Sequence, residues 1–592
     1  MDKTTNWDLE QLLPKSKFND AINNLKHKLV KFKKDLKGLS NLMGKGDFIA
    51  LIHSQEEIIE NLSIIYFRAE LEEATDTSNS EAKQMVAHAK DLIVYANDIL
   101  RPFDLWIKGQ YKIKDEVLDD KNAKRLFGSI PELEYHFTNE RQKAKYTLSE
   151  NQEAIITRKD ITGASTLLDL RDLIESKQEY TLTIDGKDEK FDNIAQLAPY
   201  LHSSKREVRK AAYDSLLKQY TNNRLEYFLI YQALVKDWNN EKELRGYSSS
   251  IAIRNVENGI KDEAVEGLIS ACDKFIDIFR DFFKLKARYL KIKDFDRYDI
   301  YAAVNGFSSQ RIELEQAKEL VKKNYGLLDP DMAIQVERIF NSQVIDYLPR
   351  KNKKGGGFCA PISPKLPPYI FLNYTGIKRD FMTLAHEMGH AIHSMLSSSN
   401  SILTYNAPLI LAETGSTLGE MVNFDNMLEQ SESKEEQISM LFEKVSDIYA
   451  SIIRQIYFVK FEIEAHEMIV NGCSIDELDN AYLNNLKSQF NGSVIIPEAF
   501  KHEWMYIPHI VHTPFYCYAY PFGELLGLSL YEDYLDNREE GLEKIKGILN
   551  SGSSKDPAQL LKDYGYDLNG DGIWTKGFEY IAKMIDKLKS LI

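Results

Sequence analysis

Residues 380–396 read DFMTLAHEMGHAIHSML. Phe381, Leu384, Ala385, Met388 and Ile392 recur at spacings of three and four, which predicts an amphipathic helix with one apolar stripe. His386 and His390 stand one turn apart on the adjoining face, where two imidazoles on a rigid helix can close on a single ion. Glu387 then points towards the open coordination position, placed to accept a proton from water as it attacks a carbonyl carbon. Two partial copies, His466-Glu467 and His502-Glu503, lack the second histidine and do not chelate in this way.

A catalytic zinc keeps three protein donors and one exchangeable position, so a third ligand must come from another element. The metzincin continuation requires glycine at position 393 and histidine at position 396; this chain has His393 and Leu396, which excludes that class. His393 lies about 10 Å along the helix axis from His386, too far to share the ion, and reads as a supporting or packing histidine. Downstream, residues 409–423 read LILAETGSTLGEMVN. Glu413 follows His390 by 23 residues, behind a turn and with enough chain for a second helix to fold back antiparallel, and is the expected third ligand. Glu420, two turns further on the same face, is expected to take the free N–H of a zinc-bound imidazole.

Working outward, the N-terminal stretch from Leu9 to about Gln178 carries three-and-four periodicity and predicts stacked helices. The period changes at Glu179–Phe191, where Tyr180, Leu182 and Ile184 alternate with polar residues and Asp185-Gly186 supplies turn chemistry, so a hairpin is expected there. Ser204-Lys205-Arg206-Glu207 has capping-box spacing and is expected to open the next helix. A division near the hairpin gives an N-terminal helical domain, 1–195, and a catalytic domain, 196–592. Gly355-Gly356-Gly357 interrupts the helices and precedes PYIFLNY, residues 368–374, the one strong strand signal beside the motif. An exposed edge on that strand would let a peptide backbone add to it, with the glycines forming a mobile or closely approaching loop.

The 592 residues include 75 basic and 90 acidic side chains, a formal charge of -15 that disfavours nucleic acid and anionic lipid as partners. No apolar run of membrane-spanning length and no secretion signature is present, so a cytoplasmic setting and no membrane association are expected. Cys272, Cys359, Cys473 and Cys517 are scattered and form no CxxC pair, which argues against disulfides and a thiolate zinc knuckle. Asp567-Leu568-Asn569-Gly570-Asp571-Gly572 matches the first half of a calcium loop, but Phe578 stands where the bidentate carboxylate belongs, so a plain turn is expected.

HEMGHAIH followed by AETGSTLGE resembles the M3 family of gluzincin metallopeptidases, of the oligoendopeptidase F type. Further landmarks run in family order along essentially the whole chain: WDLEQLLP (7–14), REVRKAAYDSLL (206–217), GGGFCAPI (355–362), PPYIFLNYTG (367–376), PHIVHTPFYCYAYPFGELL (508–526) and SGSSKDPAQLLKDYG (551–565). The resemblance implies a mainly α fold whose two helical lobes enclose a deep substrate channel, with a small sheet beside the zinc-binding helix. It implies one Zn2+ per chain held by His386, His390 and Glu413, with Glu387 as general base. It also assigns His509, and Tyr516 or Tyr518, to the developing oxyanion. The expected substrates are short unfolded oligopeptides cut at internal bonds. The alternatives are a dipeptidyl carboxypeptidase-type exopeptidase and a non-catalytic helical peptide-binding protein.

Overall fold

Helix-period patterning becomes helix along most of the chain, and strands occur in two small sheets among the described residues. The structure, a computed structural model, describes residues 6–113, 116–184, 186–304, 311–570 and 572–592. The mainly α architecture is as expected. The chain divides into two compact units that interleave in sequence: Met1–Glu153, Gln310–Asn426 and Asp533–Tyr566 form the first, and Ala154–Ser309, Met427–Glu532 and Asp567–Ile592 the second. The chain crosses between units several times, and the expected division near residue 195 falls inside the second.

In the first unit the long helices Phe18–Asp35, Lys45–Thr75 and Ser80–Ile107 bury their apolar stripes together, joined by the short helices Asp120–Phe127 and Glu134–Gln142. Phe32, Phe48, Phe103, Trp106, Phe127 and Phe137 form the aromatic centre of this core. Phe48 packs edge-on to Phe137 with ring centroids 5.5 Å apart and is fully buried, so truncating it to alanine costs about 3–5 kcal/mol. The N-terminal landmark is fastened to this core by Arg68, whose guanidinium donates to the Leu13 carbonyl at 2.7 Å and to Glu72 at 2.7 Å.

The same unit holds a three-stranded sheet of β3 (Ile345–Asp346), β4 (Phe358–Ala360) and β5 (Tyr369–Phe371), in the order β3-β5-β4. β5 pairs parallel to β3 and antiparallel to β4, with Ile370 opposite both Ile345 and Cys359. This corrects the expectation for PYIFLNY: β5 is the central strand, buried on both faces, and has no free edge. The uninterrupted apolar run Tyr369-Ile370-Phe371 is the pattern of a strand covered on both sides. The outer strand on one side is β4, preceded by the glycine cluster. Trp7 packs against Phe371 and Phe358 with centroids 5.5 and 6.5 Å away, which ties the WDLEQLLP landmark to this sheet.

In the second unit β1 (Tyr180–Ile184) and β2 (Lys187–Phe191) form the expected antiparallel hairpin, with Gly186 at φ +78 in its turn; Asp185 lies outside the described residues. A short helix, Ile194–Leu201, comes next, and the helix after it, Arg206–Asn222, is not opened by a capping box. Lys205 is its N-cap and makes no side-chain cap, while the Ser203 hydroxyl takes the Lys205 N–H at 3.2 Å. The reason lies in Arg209, a buried side chain that draws in the Ser203 and Ser204 carbonyls at 2.6 and 3.1 Å and pairs with buried Asp299 at 2.5 Å. The helix Gly572–Leu591 closes this unit with Trp574, Phe578, Ile581, Ile585 and Leu588 on one buried stripe. Ahead of it, Asp567 Oδ1 accepts the backbone N–H of Asn569 at 2.9 Å and the Asp567 carbonyl accepts from Gly570 at 3.1 Å, which is turn chemistry as expected; Asp571 lies outside the described residues.

Candidate metal centre and active site

The predicted motif helix spans Lys378–Leu396, and AETGSTLGE lies in a second helix, Leu409–Gln430. The two run antiparallel: Gly415 lies against Gly389 and His393, and Gly419 against Ala385. Contact is backbone to backbone, since a Cβ on Gly389 would meet the Gly415 carbonyl oxygen at 2.3 Å and one on Gly419 the Ala385 carbonyl oxygen at 2.8 Å. Thr414, Ser416 and Thr417 are buried along the same stretch. Small residues on both partners therefore set the helices close enough for a short carboxylate side chain to reach the histidines.

That approach brings His386, His390 and Glu413 into one cluster, the only such group of potential metal ligands among the described residues. His386 Nε2 and His390 Nε2 are 3.2 Å apart, and Glu413 Oε2 lies 3.6 Å from the first and 3.4 Å from the second. Donors about 2.0–2.1 Å from a tetrahedral ion stand about 3.3 Å from one another, so these three separations fit the edges of a zinc-sized tetrahedron. The three side chains keep 30%, 23% and 19% of their surface exposed, leaving an approach to the fourth position. The donor set of two imidazoles and one carboxylate suits a divalent ion of the zinc type.

The surrounding groups orient this cluster. Glu420 Oε1 lies 2.5 Å from His386 Nδ1, the contact expected for it, so Nε2 of that ring is left for the ion. Burial alone would lower the basicity of His386, but the hydrogen bond and charge of Glu420, with Glu387 and Glu413, carry its pKa up to about 9 in the metal-free protein. Burial likewise opposes ionisation of Glu413, yet the hydrogen bond and charge of His390, with His386 and the Ser416 hydroxyl at 2.9 Å, hold it at about 2. His393 is buried against the second helix at Gly415 and bonds the Ala412 backbone; burial and the neighbouring His390 lower its pKa to about 4, so it is a neutral packing residue.

Glu387 is buried, and its pKa is raised chiefly by burial, against the pull of His386 and His390. The glycine cluster comes up beside it: a Cβ on Gly357 would stand 3.2 Å from Glu387 Oε1, 3.0 Å from Thr383 and 3.3 Å from the Phe371 carbonyl oxygen. Sequence reading singled out the glycines but not this contact with the carboxylate. It missed Tyr325 as well, whose hydroxyl donates to the Ala385 carbonyl at 3.1 Å in the space left by Gly419.

Residues 199–580 match the model of peptidase family M3. The chain belongs to peptidase family M3. It is a metallopeptidase by family. Oligopeptidase PepF of Bacillus subtilis is 24% identical over 99% of this chain and 87% of its own length. An oligoendopeptidase F homolog of Borreliella burgdorferi is 24% identical over 96% and 95%. In fold, the crystal structure of oligoendopeptidase-F from Enterococcus faecium superposes with a TM-score of 0.73 at 20% identity, covering 97% of this chain and 99% of that one. The likeness in fold thus extends over 97% of this chain.

The remaining expected site residues of this M3 chain belong to the second unit. His509 Nε2 lies 3.1 Å from the Tyr520 hydroxyl; Tyr516 stacks on His509 with centroids 6.0 Å apart and meets Tyr520 edge-on at 5.0 Å. These three rings are partly exposed. Tyr518 is placed differently: it is fully buried, and Asn258 Nδ2 donates to its hydroxyl at 2.8 Å. Burial, together with the Arg454 guanidinium, His512 and Arg171, lowers the His509 pKa, which favours the neutral ring. Of the partial motifs, Glu503 is absorbed by Arg297 at 2.5 Å and Tyr482 at 3.0 Å, and His466 is buried against Phe515. No helix among the described residues is long and apolar enough to cross a membrane.

Proposed function

We propose that this M3 peptidase is a zinc-dependent endopeptidase that cuts internal bonds of short oligopeptides. The observation that carries the reading is the set of three donor separations, 3.2, 3.4 and 3.6 Å, with a buried glutamate on the same helix turn. His386, His390 and Glu413 would hold the ion. When bound, it supplies Lewis acidity, making water acidic enough to attack near neutral pH and drawing electron density from the scissile carbonyl.

Glu387 Oε accepts a proton from the attacking water and then delivers it to the leaving amine nitrogen, so no covalent acyl-enzyme forms. Its buried carboxylate, with raised proton affinity, suits both halves of that transfer. Gly357 keeps a side chain away from Glu387 and lets a bound peptide backbone lie along the β4 side of the sheet. His509 and Tyr516 are assigned to the carbonyl oxygen that gains charge, each worth about 3 kcal/mol in the transition state. This assignment rests on family likeness of the PHIVHTPFYCYAYPFGELL segment. Tyr516 is preferred to Tyr518 because the Tyr518 hydroxyl is buried on Asn258. Tyr520 would orient the imidazole of His509. The oligopeptide substrate class follows from the names carried by relatives such as oligopeptidase PepF.

An internally quenched peptide blocked at both ends tests the reading. Cleavage at an internal bond, lost with Glu387→Gln while zinc content stays at the wild-type level, is the expected result. Products only from peptides with a free C-terminus would make it an exopeptidase instead, and full activity in Glu387→Gln would remove the proposed base.

A further inference from the structure

The Pro514–Phe515 peptide unit is gripped on both sides by polar side chains from different helices. Arg254 Nε donates to the Pro514 carbonyl oxygen at 3.1 Å, and the Phe515 N–H donates to Glu462 Oε1 at 2.8 Å. Arg254 comes from the helix Ser250–Glu257 and Glu462 from the helix Ile453–Val470. Between them Phe515 is held at φ +58, ψ +18, a left-handed conformation that a residue with a side chain rarely adopts unless its surroundings impose it. The Phe515 ring is fully buried against His466, centroids 4.7 Å apart, and Trp238, 6.4 Å apart. Asn258, at the end of the Arg254 helix, fixes the Tyr518 hydroxyl. Tyr516, which stacks on His509, thus lies between two tied residues.

We propose that Arg254 and Glu462 are positioning residues: by clamping the Pro514–Phe515 peptide they set the backbone from which Tyr516 reaches His509 and Tyr520. The inference rests on the role proposed above for that aromatic trio. Neither residue carries a motif signature, and neither is one of the proposed metal ligands. Burial pushes the Glu462 carboxyl up to about 8, against the Phe515 N–H and Arg254, so near neutrality it is largely the uncharged acid, accepting through its carbonyl oxygen. Glutamine reproduces that acceptor and alanine does not.

Two readouts test this on the full chain. In metal-free protein, amide hydrogen exchange at Phe515 should rise at least about tenfold in Glu462→Ala and stay near wild type in Glu462→Gln. With zinc and the blocked peptide, Glu462→Ala and Arg254→Ala should lower kcat about tenfold or more with KM within about threefold, and Glu462→Gln should restore most of the loss. In a Tyr516→Phe background the two alanine changes should have little further effect. Unchanged exchange in Glu462→Ala, or wild-type kcat in both alanine variants while Tyr516→Phe is impaired, overturns the clamp and leaves the trio standing. Wild-type kcat in Tyr516→Phe overturns the trio and the clamp together. Should Glu462→Ala fail to fold, Arg254→Ala decides by the same measurements.

Discussion

Gly389 and Gly415 meet backbone to backbone, with the Gly415 carbonyl oxygen 2.3 Å from where a Gly389 methyl group would stand. The glycine inside HEMGH is therefore what sets the spacing between the two histidines and Glu413. Gly389→Ala must push the helices apart or distort one of them, at a cost of about 1–3 kcal/mol for an overpacked interface. We expect zinc affinity to fall by at least about tenfold, measured by competition with a chromophoric chelator. Unchanged affinity with an unchanged melting temperature would show that the contact is not needed.

Glu420 Oε1 lies 2.5 Å from His386 Nδ1, the ring nitrogen turned away from the proposed ion. Glu420→Gln keeps the size but loses the charge, and the zinc dissociation constant should rise about 10–100-fold. Activity at saturating zinc should recover in large part, since the ligands remain. Equilibrium competition for zinc checks the first statement and a zinc titration of the rate checks the second.

Gly357→Ala places a methyl group 3.2 Å from Glu387 Oε1 and 3.0 Å from Thr383. The loop or the carboxylate must shift by a few tenths of an ångström, enough to cost about tenfold in kcat/KM if Glu387 is the proposed general base. Zinc content should not change, because no ligand is involved. Metal analysis beside steady-state kinetics separates this outcome from general unfolding.

The folded protein holds the Glu462 proton up to about pH 8, whereas an exposed glutamate releases it near 4.5. Over that interval the folded state binds more protons than the unfolded chain, so this group makes stability fall with rising pH, by up to ~1.4 kcal/mol per unit. Below about 4.5 both states are protonated and the effect is absent. Glu462→Gln should therefore gain stability relative to wild type between pH 5 and pH 8, by a few kcal/mol on the order of the linkage integral. Urea unfolding of both metal-free proteins at the two pH values measures the difference; a difference independent of pH would mean that Glu462 is ionised in the fold.

Much of the centre was legible because a helix fixes its own geometry. Once residues 380–396 are helical, His386 and His390 share a face whatever surrounds them, and a return helix naturally places Glu413 and Glu420 two turns apart. What the local pattern could not carry was the neighbourhood. PYIFLNY reads as a strand, but its position in the middle of the sheet depends on β3 and β4, two and three residues long and too short to stand out as strands in the sequence. The Ser204 capping box lost to Arg209, which draws the Ser203 and Ser204 carbonyls towards Asp299, a partner 90 residues away. Tyr516, Tyr518 and Tyr520 look equivalent in the sequence; only Asn258 on one side and His509 on the other distinguish them.

The central claim is that one zinc ion held by His386, His390 and Glu413 makes the protein a peptidase. Its most direct test is a zinc titration of chelator-treated protein, following hydrolysis of the blocked peptide and bound metal together. Activity absent without metal and rising to a sharp break at one ion per chain, with no break in Glu413→Ala, is the expected result. Cleavage that persists after complete metal removal, or a Glu413→Ala protein that binds one zinc as tightly as wild type, would contradict it.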